Sequence, residues 1–112
     1  MENIIVNLTP HNVNIVLDDG RVITIPSSGT IARCAQTTEQ VGTIEYAGTE
    51  IPLTVTSYGE LVDLPNPSSG KYYIVSRLVM SAASGRTDLL CPNGLVRDDN
   101  GNIIGCESLA NN

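Results

Sequence analysis

Asp19-Gly20 stands between two β-branched runs, VNIVL and RVITI, and this dipeptide constrains the fold more than any other local feature of the chain. Asp-Gly accommodates the positive φ angles of a two-residue type I′ turn, so residues 13–25 read as a β-hairpin. In that register Asp18 faces Arg21, Leu17 faces Val22, Val16 faces Ile23 and Ile15 faces Thr24. Both faces are then largely apolar. A hairpin solvated on one side alternates cleanly, so this one is expected to be covered on both sides, by a barrel, a sandwich partner or another subunit.

Short strands punctuated by turns recur along the chain. An apolar run at 3–8 closes at Thr9-Pro10, residues 30–35 return as a strand after the Pro26-to-Gly29 loop, and 43–46 and 51–56 form a second hairpin about Ala47-Gly48. Pro52 restricts its strand to an edge or a start. A further turn is expected at 57–59, and the Pro- and Ser-rich stretch 64–70 reads as a surface loop. A strand at 71–75 precedes the one expected helix, 76–85, with Ser76 as N-cap, Gly85 just past its end and a stripe of Leu78, Val79, Ala82 and Ala83. Asn100-Gly101 repeats the type I′ signal, making Asp98 face Ile103 and Arg97 face Ile104. That register sets Arg97 on an apolar face with Leu95, Ile104 and Cys106. A half-buried guanidinium there needs a carboxylate or an anionic ligand. The expected fold is mainly β, a small antiparallel barrel-like or sandwich domain over 1–112 with one short helix.

With 112 residues, no Phe, no Trp and four tyrosines, the core must be built from aliphatic side chains. Large aromatics supply much of a small domain's burial, so a homo-oligomer is expected to make up the difference. Twelve acidic residues against six basic ones give a net charge of −6. That balance argues against DNA or RNA as partners, because phosphate backbones are neutralised by clustered Lys and Arg. It leaves room for a small anion held locally.

The start MENIIVNLTP has neither a basic n-region nor an apolar run of signal length, and no apolar stretch is long enough to span a membrane. A soluble, cytoplasmic protein without membrane partners is expected. Cys34, Cys91 and Cys106 are odd in number and lack CxxC spacing, which points to buried free thiols. A Cys3His zinc site would require His11 and all three scattered cysteines to converge, and no metal or cofactor is assigned.

Three of the five arginines, Arg77, Arg86 and Arg97, fall between Tyr72 and Cys106, beside Ser76, Ser81, Ser84, Thr87 and Asp88. Guanidinium forks bind phosphate oxygens bidentately, and hydroxyls and first-turn amides supply further donors. The competing reading makes them ordinary ion pairs, Arg86 with Asp88 and Arg97 with Asp63 or Asp99. His11, the only histidine, lies in a loop where it can hydrogen-bond or stack on a ligand or act as a base. Tyr72 and Tyr73 point to opposite faces of a strand, so one is available to stack on a flat ring. The candidate ligand residues are His11, Tyr73, Ser76, Arg77, Arg86, Thr87 and Arg97. No GxSxG, HExxH, HD pair or Walker loop occurs, and no catalytic residue is assigned.

The succession NLTPH, IPSSGTIAR, YGELVDLPNP, YYIVSRLV, GRTDLLCP, VRDDNGNIIGC and a terminal SLA resembles a family of short, mostly uncharacterised proteins of bacteria and their phages. The chain also looks like phage anti-defence proteins that sequester nucleotide immune signals, which are small, soluble, often oligomeric and free of catalytic motifs. The resemblance implies a protein that binds a small phosphate-bearing nucleotide, an ADP-ribose-type cyclic signal or a cyclic dinucleotide, in the host-cell cytoplasm. The alternatives are a structural or accessory phage protein without a ligand, and a nucleotide-cleaving enzyme relying on His11.

Overall fold

A computed structural model describes residues 3–111; Met1, Glu2 and Asn112, the ends of the expected 1–112 domain, lie outside it. The chain is mainly β with one short helix, as expected. Its strands are β1 (Ile4–Asn7), β2 (Val13–Val16), β3 (Val22–Ile25), β4 (Arg33–Tyr46), β5 (Thr49–Val62), β6 (Lys71–Ile74), β7 (Leu89–Arg97) and β8 (Ile103–Asn111), with α1 (Arg77–Ala82) between β6 and β7.

Six strands form one sheet in the order β1-β6-β7-β8-β2-β3. The sheet is mixed: β1 with β6, β6 with β7, and β2 with β8 are parallel, while β7 with β8 and β2 with β3 are antiparallel. Parallel neighbours need a crossover, and α1 supplies the one between β6 and β7. The sheet curls until its two outer strands meet, where Asn7 forms a single parallel bridge to Ser27 and the Ser28 N–H donates to the Asn7 carbonyl at 2.9 Å. This is a barrel-like roll whose ladder is not continuous around the seam.

Alternation along β6 divides the core in two. Tyr73 and Val75 point toward α1 and pack with Leu8, Ala32, Val79, Met80, Leu89 and Cys91. Ile74 points the other way, into a second cluster with Val13, Ile15 and Cys106, flanked by Leu17, Ile25, Leu90 and Leu109. The core is aliphatic apart from Tyr73 and sulfur-bearing side chains.

Both Gly-containing turns of the roll differ from expectation by one residue, and in the same way. The Leu17 N–H donates to the Arg21 carbonyl and the Gly20 N–H to the Leu17 carbonyl; Asp98, Asn102 and Gly101 repeat that pattern. Each loop therefore holds three residues, with Gly20 at φ 89° and Gly101 at φ 84°. Aspartate favours this form because its carboxylate accepts local N–H groups: Asp19 Oδ1 from Arg21, and Asp98 Oδ1 from Asn100 and Asn102. The consequence is a register in which Ile15 faces Ile23 and Val13 faces Ile25. One face then carries the isoleucines, and the other carries Asn14 and Thr24 joined by a 2.8 Å hydrogen bond. Within the described chain Val22 and Ile23 stay exposed on the outermost strand, so neither a closed barrel nor a sandwich partner covers this hairpin on both sides.

The Ala47-Gly48 turn has two residues, with positive φ at both, so it takes the type I′ form. Its strands run much further than expected: β4 and β5 have fourteen residues each and make a two-stranded sheet of their own. The turn expected at 57–59 is a bulge in β5, opposite Cys34 to Gln36. The hairpin forms an arm roughly 45 Å long at about 3.4 Å per residue, in a molecule measuring 60 × 40 × 23 Å. Only its base, through Leu61, packs on the cluster beneath α1.

Candidate functional site

Asn7 is the one buried polar side chain among the described residues, and it shapes the loop after β1. Its amide nitrogen donates to the carbonyls of His11 at 2.9 Å and Ile25 at 3.0 Å. Its amide oxygen accepts from the Thr9 N–H at 3.0 Å and the Thr9 hydroxyl at 2.6 Å. A buried amide so fully satisfied fixes the backbone around it. The Asn-Leu-Thr-Pro-His run is thus a folded loop closed by its own first residue, and it presents the exposed His11 at a defined place.

Across from this loop, β6 ends and α1 begins. Ser76 caps the helix, its hydroxyl accepting from the Val79 N–H at 3.3 Å. The helix is shorter than expected, six residues with Ala83 as its C-cap, and the buried stripe is Val79, Met80 and Ala83 while Leu78 and Ala82 are exposed. The Ser76 hydroxyl is therefore engaged in capping, and so short a helix offers no N-terminal anion site. Arg77 follows it, exposed.

Beyond the end of β6, β7 and β8 continue outward as a hairpin. Between that overhang and the two loop ends lies an open cleft of about 360 Å³. Thr9, His11 and Asn12 border one side and Ser76 and Arg77 another, while Val75, Cys91, Pro92, Leu95, Ile103 and Cys106 give it a mostly apolar wall. No carboxylate lines it among the described residues. Gly105 is also part of this wall, where β8 passes β2 so closely that an added Cβ would stand 2.6 Å from the Asn14 carbonyl oxygen.

Of the candidate residues, His11, Ser76 and Arg77 come together in this cleft. The other four do not. Tyr73 is 4% exposed and belongs to the core beneath α1, so it touches no ligand; Tyr72, its neighbour on the opposite face, is half-buried. Arg86 lies past the other end of α1, where it grips Asp88 with Nε to Oδ1 at 2.8 Å and a terminal nitrogen to Oδ2 at 2.7 Å. The same nitrogen donates to the Pro65 carbonyl at 2.9 Å, tying down the proline loop. The Arg86 hydrogen bond holds the Asp88 carboxyl below its usual range and raises the Arg86 guanidinium in turn. Arg86 is thus the ion pair of the competing reading. Thr87 is exposed beside it, its carbonyl accepting from Asn111.

Arg97 corrects the expectation most directly. The three-residue turn pairs it with Ile103 instead of Ile104, it is exposed, and its guanidinium donates to the Gly101 carbonyl at 2.8 Å. It pairs with neither Asp63 nor Asp99. Because Ile103 lines the cleft, Arg97 stands beside it and not within it. The three arginines do not converge.

Cys91 and Cys106 are buried and Cys34 half-buried, all as free thiols. Among the described residues no three His, Cys, Asp or Glu side chains are grouped to hold a metal, and no helix is long and apolar enough to cross a membrane. Asn7 escaped the sequence reading because nothing in its neighbourhood signals burial; the clue was its position two residues before a threonine, the spacing of an Asx turn. The chain matches no protein family, no curated protein and no solved structure in the three comparisons made.

Proposed function

We propose that the chain binds a small phosphate-bearing nucleotide in the cleft between His11 and Arg77 and holds it without chemistry. One observation carries this: two segments far apart in sequence deliver a histidine and an arginine to the rim of a cleft whose wall is apolar. Concave, mostly apolar sites with a few polar groups at the edge are the usual form of small-ligand sites. Among the described residues Arg77 has no carboxylate at ion-pair distance, so its guanidinium is available to a phosphate. The ring system lies against Pro92, Leu95 and Ile103, with His11 on its edge or face.

The geometry revises the ligand chemistry. One arginine in the cleft and a second beside it suit a nucleotide whose phosphates are partly solvated better than one whose pyrophosphate is enclosed by three guanidinium groups. Holding is favoured over cleavage, because among the described residues no carboxylate lines the cleft to orient a general base at His11. With the resemblance to short bacterial and phage proteins, this supports sequestration of a nucleotide immune signal in the host cytoplasm. The accessory assembly role is the second reading, favoured by the long exposed arm.

Calorimetric titration with a panel of cyclic dinucleotides and ADP-ribose derivatives tests the proposal. Binding of at least one member, weakened tenfold or more by Arg77→Ala and unaffected by Arg86→Ala, is the expected result, with the ligand recovered intact after denaturation. No heat across the panel sinks it. Recovery of a cleaved ligand replaces holding with catalysis.

A further inference from the structure

Pairing register sorts the outer part of the arm into two unlike faces. Residues paired across an antiparallel ribbon share a face, and the faces alternate along each strand. Tyr46 and Thr49, Ile44 and Ile51, Gly42 and Leu53, and Glu39 and Val55 therefore lie on one side. Glu45 and Glu50, Thr43 and Pro52, Gln40 and Thr54, and Thr38 and Thr56 lie on the other. This is the alternation of a sheet with one buried face and one wet face. Yet Ile44 is 54% exposed, Tyr46 73% and Val55 52%, and no described residue covers them.

A two-stranded ribbon is at best marginally stable alone in water, so a cover is required for an arm of this length. We infer that the apolar face of the β4–β5 arm is covered by the same face of a second copy of this chain. The inference does not depend on the nucleotide reading.

Area supports a second copy. Ile44, Tyr46, Ile51, Leu53 and Val55, each 44–73% exposed, leave on the order of 500 Å² open, in the range of the largest patch of an ordinary monomer. Two such faces brought together bury about 1,000 Å², the threshold a specific contact has to clear. Charge supports it as well. In a molecule of net charge −6, the carboxylates of Glu45 and Glu50 lie on the face turned away from such a contact, and Glu39 alone lies on the contact side. Antiparallel arms separate the two Glu39 carboxylates and set each against the Tyr46 end of its partner, where the phenol hydroxyl can donate. Parallel arms would stack the carboxylates on each other.

Edge-to-edge growth is disfavoured on the β5 side. In a hairpin closed by a two-residue turn, Tyr46 and Thr49 are the hydrogen-bonded pair, so the backbone at Pro52 points outward. Proline has no N–H to offer there, which blunts the edge against another strand. The contact is therefore face to face, about 10 Å between sheets.

Analytical ultracentrifugation of the full chain tests this. The wild type is expected to sediment as two chains, Ile51→Glu with Leu53→Glu as one, and Thr54→Glu with Thr56→Glu, on the wet face, as two. Amide exchange in the wild type supplies a measurement that needs no variant: protection of residues 41–55 should rise with protein concentration. A single-chain species with an unprotected arm at all concentrations overturns the inference, as does a dimer that survives Ile51→Glu with Leu53→Glu. A single-chain species whose arm is protected only by anionic phospholipid vesicles assigns the face to a lipid surface and also overturns it.

Discussion

In the roll, Val13, Ile15, Ile74 and Leu89 are more than nine-tenths buried, whereas Ile44, Ile51, Leu53 and Val55 in the arm remain about half exposed. Both groups are aliphatic residues in strands, so composition does not separate them. What separates them is the range of their pairing. Roll strands meet partners from distant parts of the chain, β1 with β6 and β2 with β8, and these contacts enclose side chains on both sheet faces. Arm strands meet only each other, through one tight turn. A local hairpin forms readily but encloses little, while non-local pairing is slow to form and encloses a core.

Glycine substitutions expose the contrast at its largest. Gly105→Ala drives a Cβ to within 2.6 Å of a backbone oxygen of Asn14, where β8 and β2 cannot separate without opening the second core cluster. A loss of about 2–3 kcal/mol is expected, the usual size of an overpacking defect, and the cleft wall would be displaced with it. Gly42→Ala in the arm meets nothing within 4 Å and has no positive φ. It should leave stability unchanged or raise it by a few tenths of a kcal/mol, since glycine weakens a strand interior. Urea denaturation of both variants decides the matter. Equal effects would mean that the roll is as loosely packed as the arm.

Position in the sequence shows local structure far better than long-range closure, and the errors follow that division. Ser76 as N-cap, the Ala47-Gly48 hairpin, the loop at 64–70 and the aliphatic core are all set by neighbouring residues, and all are found. Asp19-Gly20 and Asn100-Gly101 correctly mark turns, but the choice between two and three loop residues rests on which N–H groups Asp19 and Asp98 accept. In β2 and β3 the shift changes which side chains meet, whereas in β7 and β8 the irregularity between Val96 and Arg97 absorbs it. Arg97 therefore keeps the face of Leu95 and Cys106 but is exposed, because Leu95 and Ile103 beside it are themselves 60% and 56% exposed. The arm's length was hidden because Gly59, read as a turn, serves as a bulge. At the site, Ser76 and Arg77 were legible because they are adjacent; their meeting with His11 depends on β1 pairing with β6, which no local pattern announces.

The Arg86–Asp88 pair marks where the roll holds its proline loop, and acid should loosen this region before it affects the arm. Both side chains are mostly buried, at 22% and 13% exposure. Asp88 is held below its ordinary pKa chiefly by the hydrogen bond from Arg86, against an opposing desolvation. A carboxyl depressed in the folded state adds stability above its unfolded pKa, and that stability is lost as pH falls through the folded value. Asp88→Asn is thus expected to cost about 1–2 kcal/mol at neutral pH, the scale of a charge-assisted hydrogen bond. The gap between wild type and variant should close in strong acid. A gap independent of pH would assign the cost to packing instead.

The smallest effect belongs to the arm's tip. Ala47 sits at φ 52° and Gly48 at φ 78°, the two positive values that a type I′ turn requires. Alanine pays a steric penalty there that asparagine, whose short polar side chain tolerates the left-handed region, largely avoids. Ala47→Asn should therefore stabilise the hairpin by about 0.5–1 kcal/mol. Because the arm shares few contacts with the roll, the gain should appear as slower amide exchange in residues 41–55 and leave the global urea midpoint nearly unmoved. A shift of the midpoint matching the gain in exchange protection would show that arm and roll unfold as one cooperative unit. In that event the exposed face of β4 and β5 would be coupled to the core through the base of the arm, and the difference in burial between the two regions would not be a difference in stability.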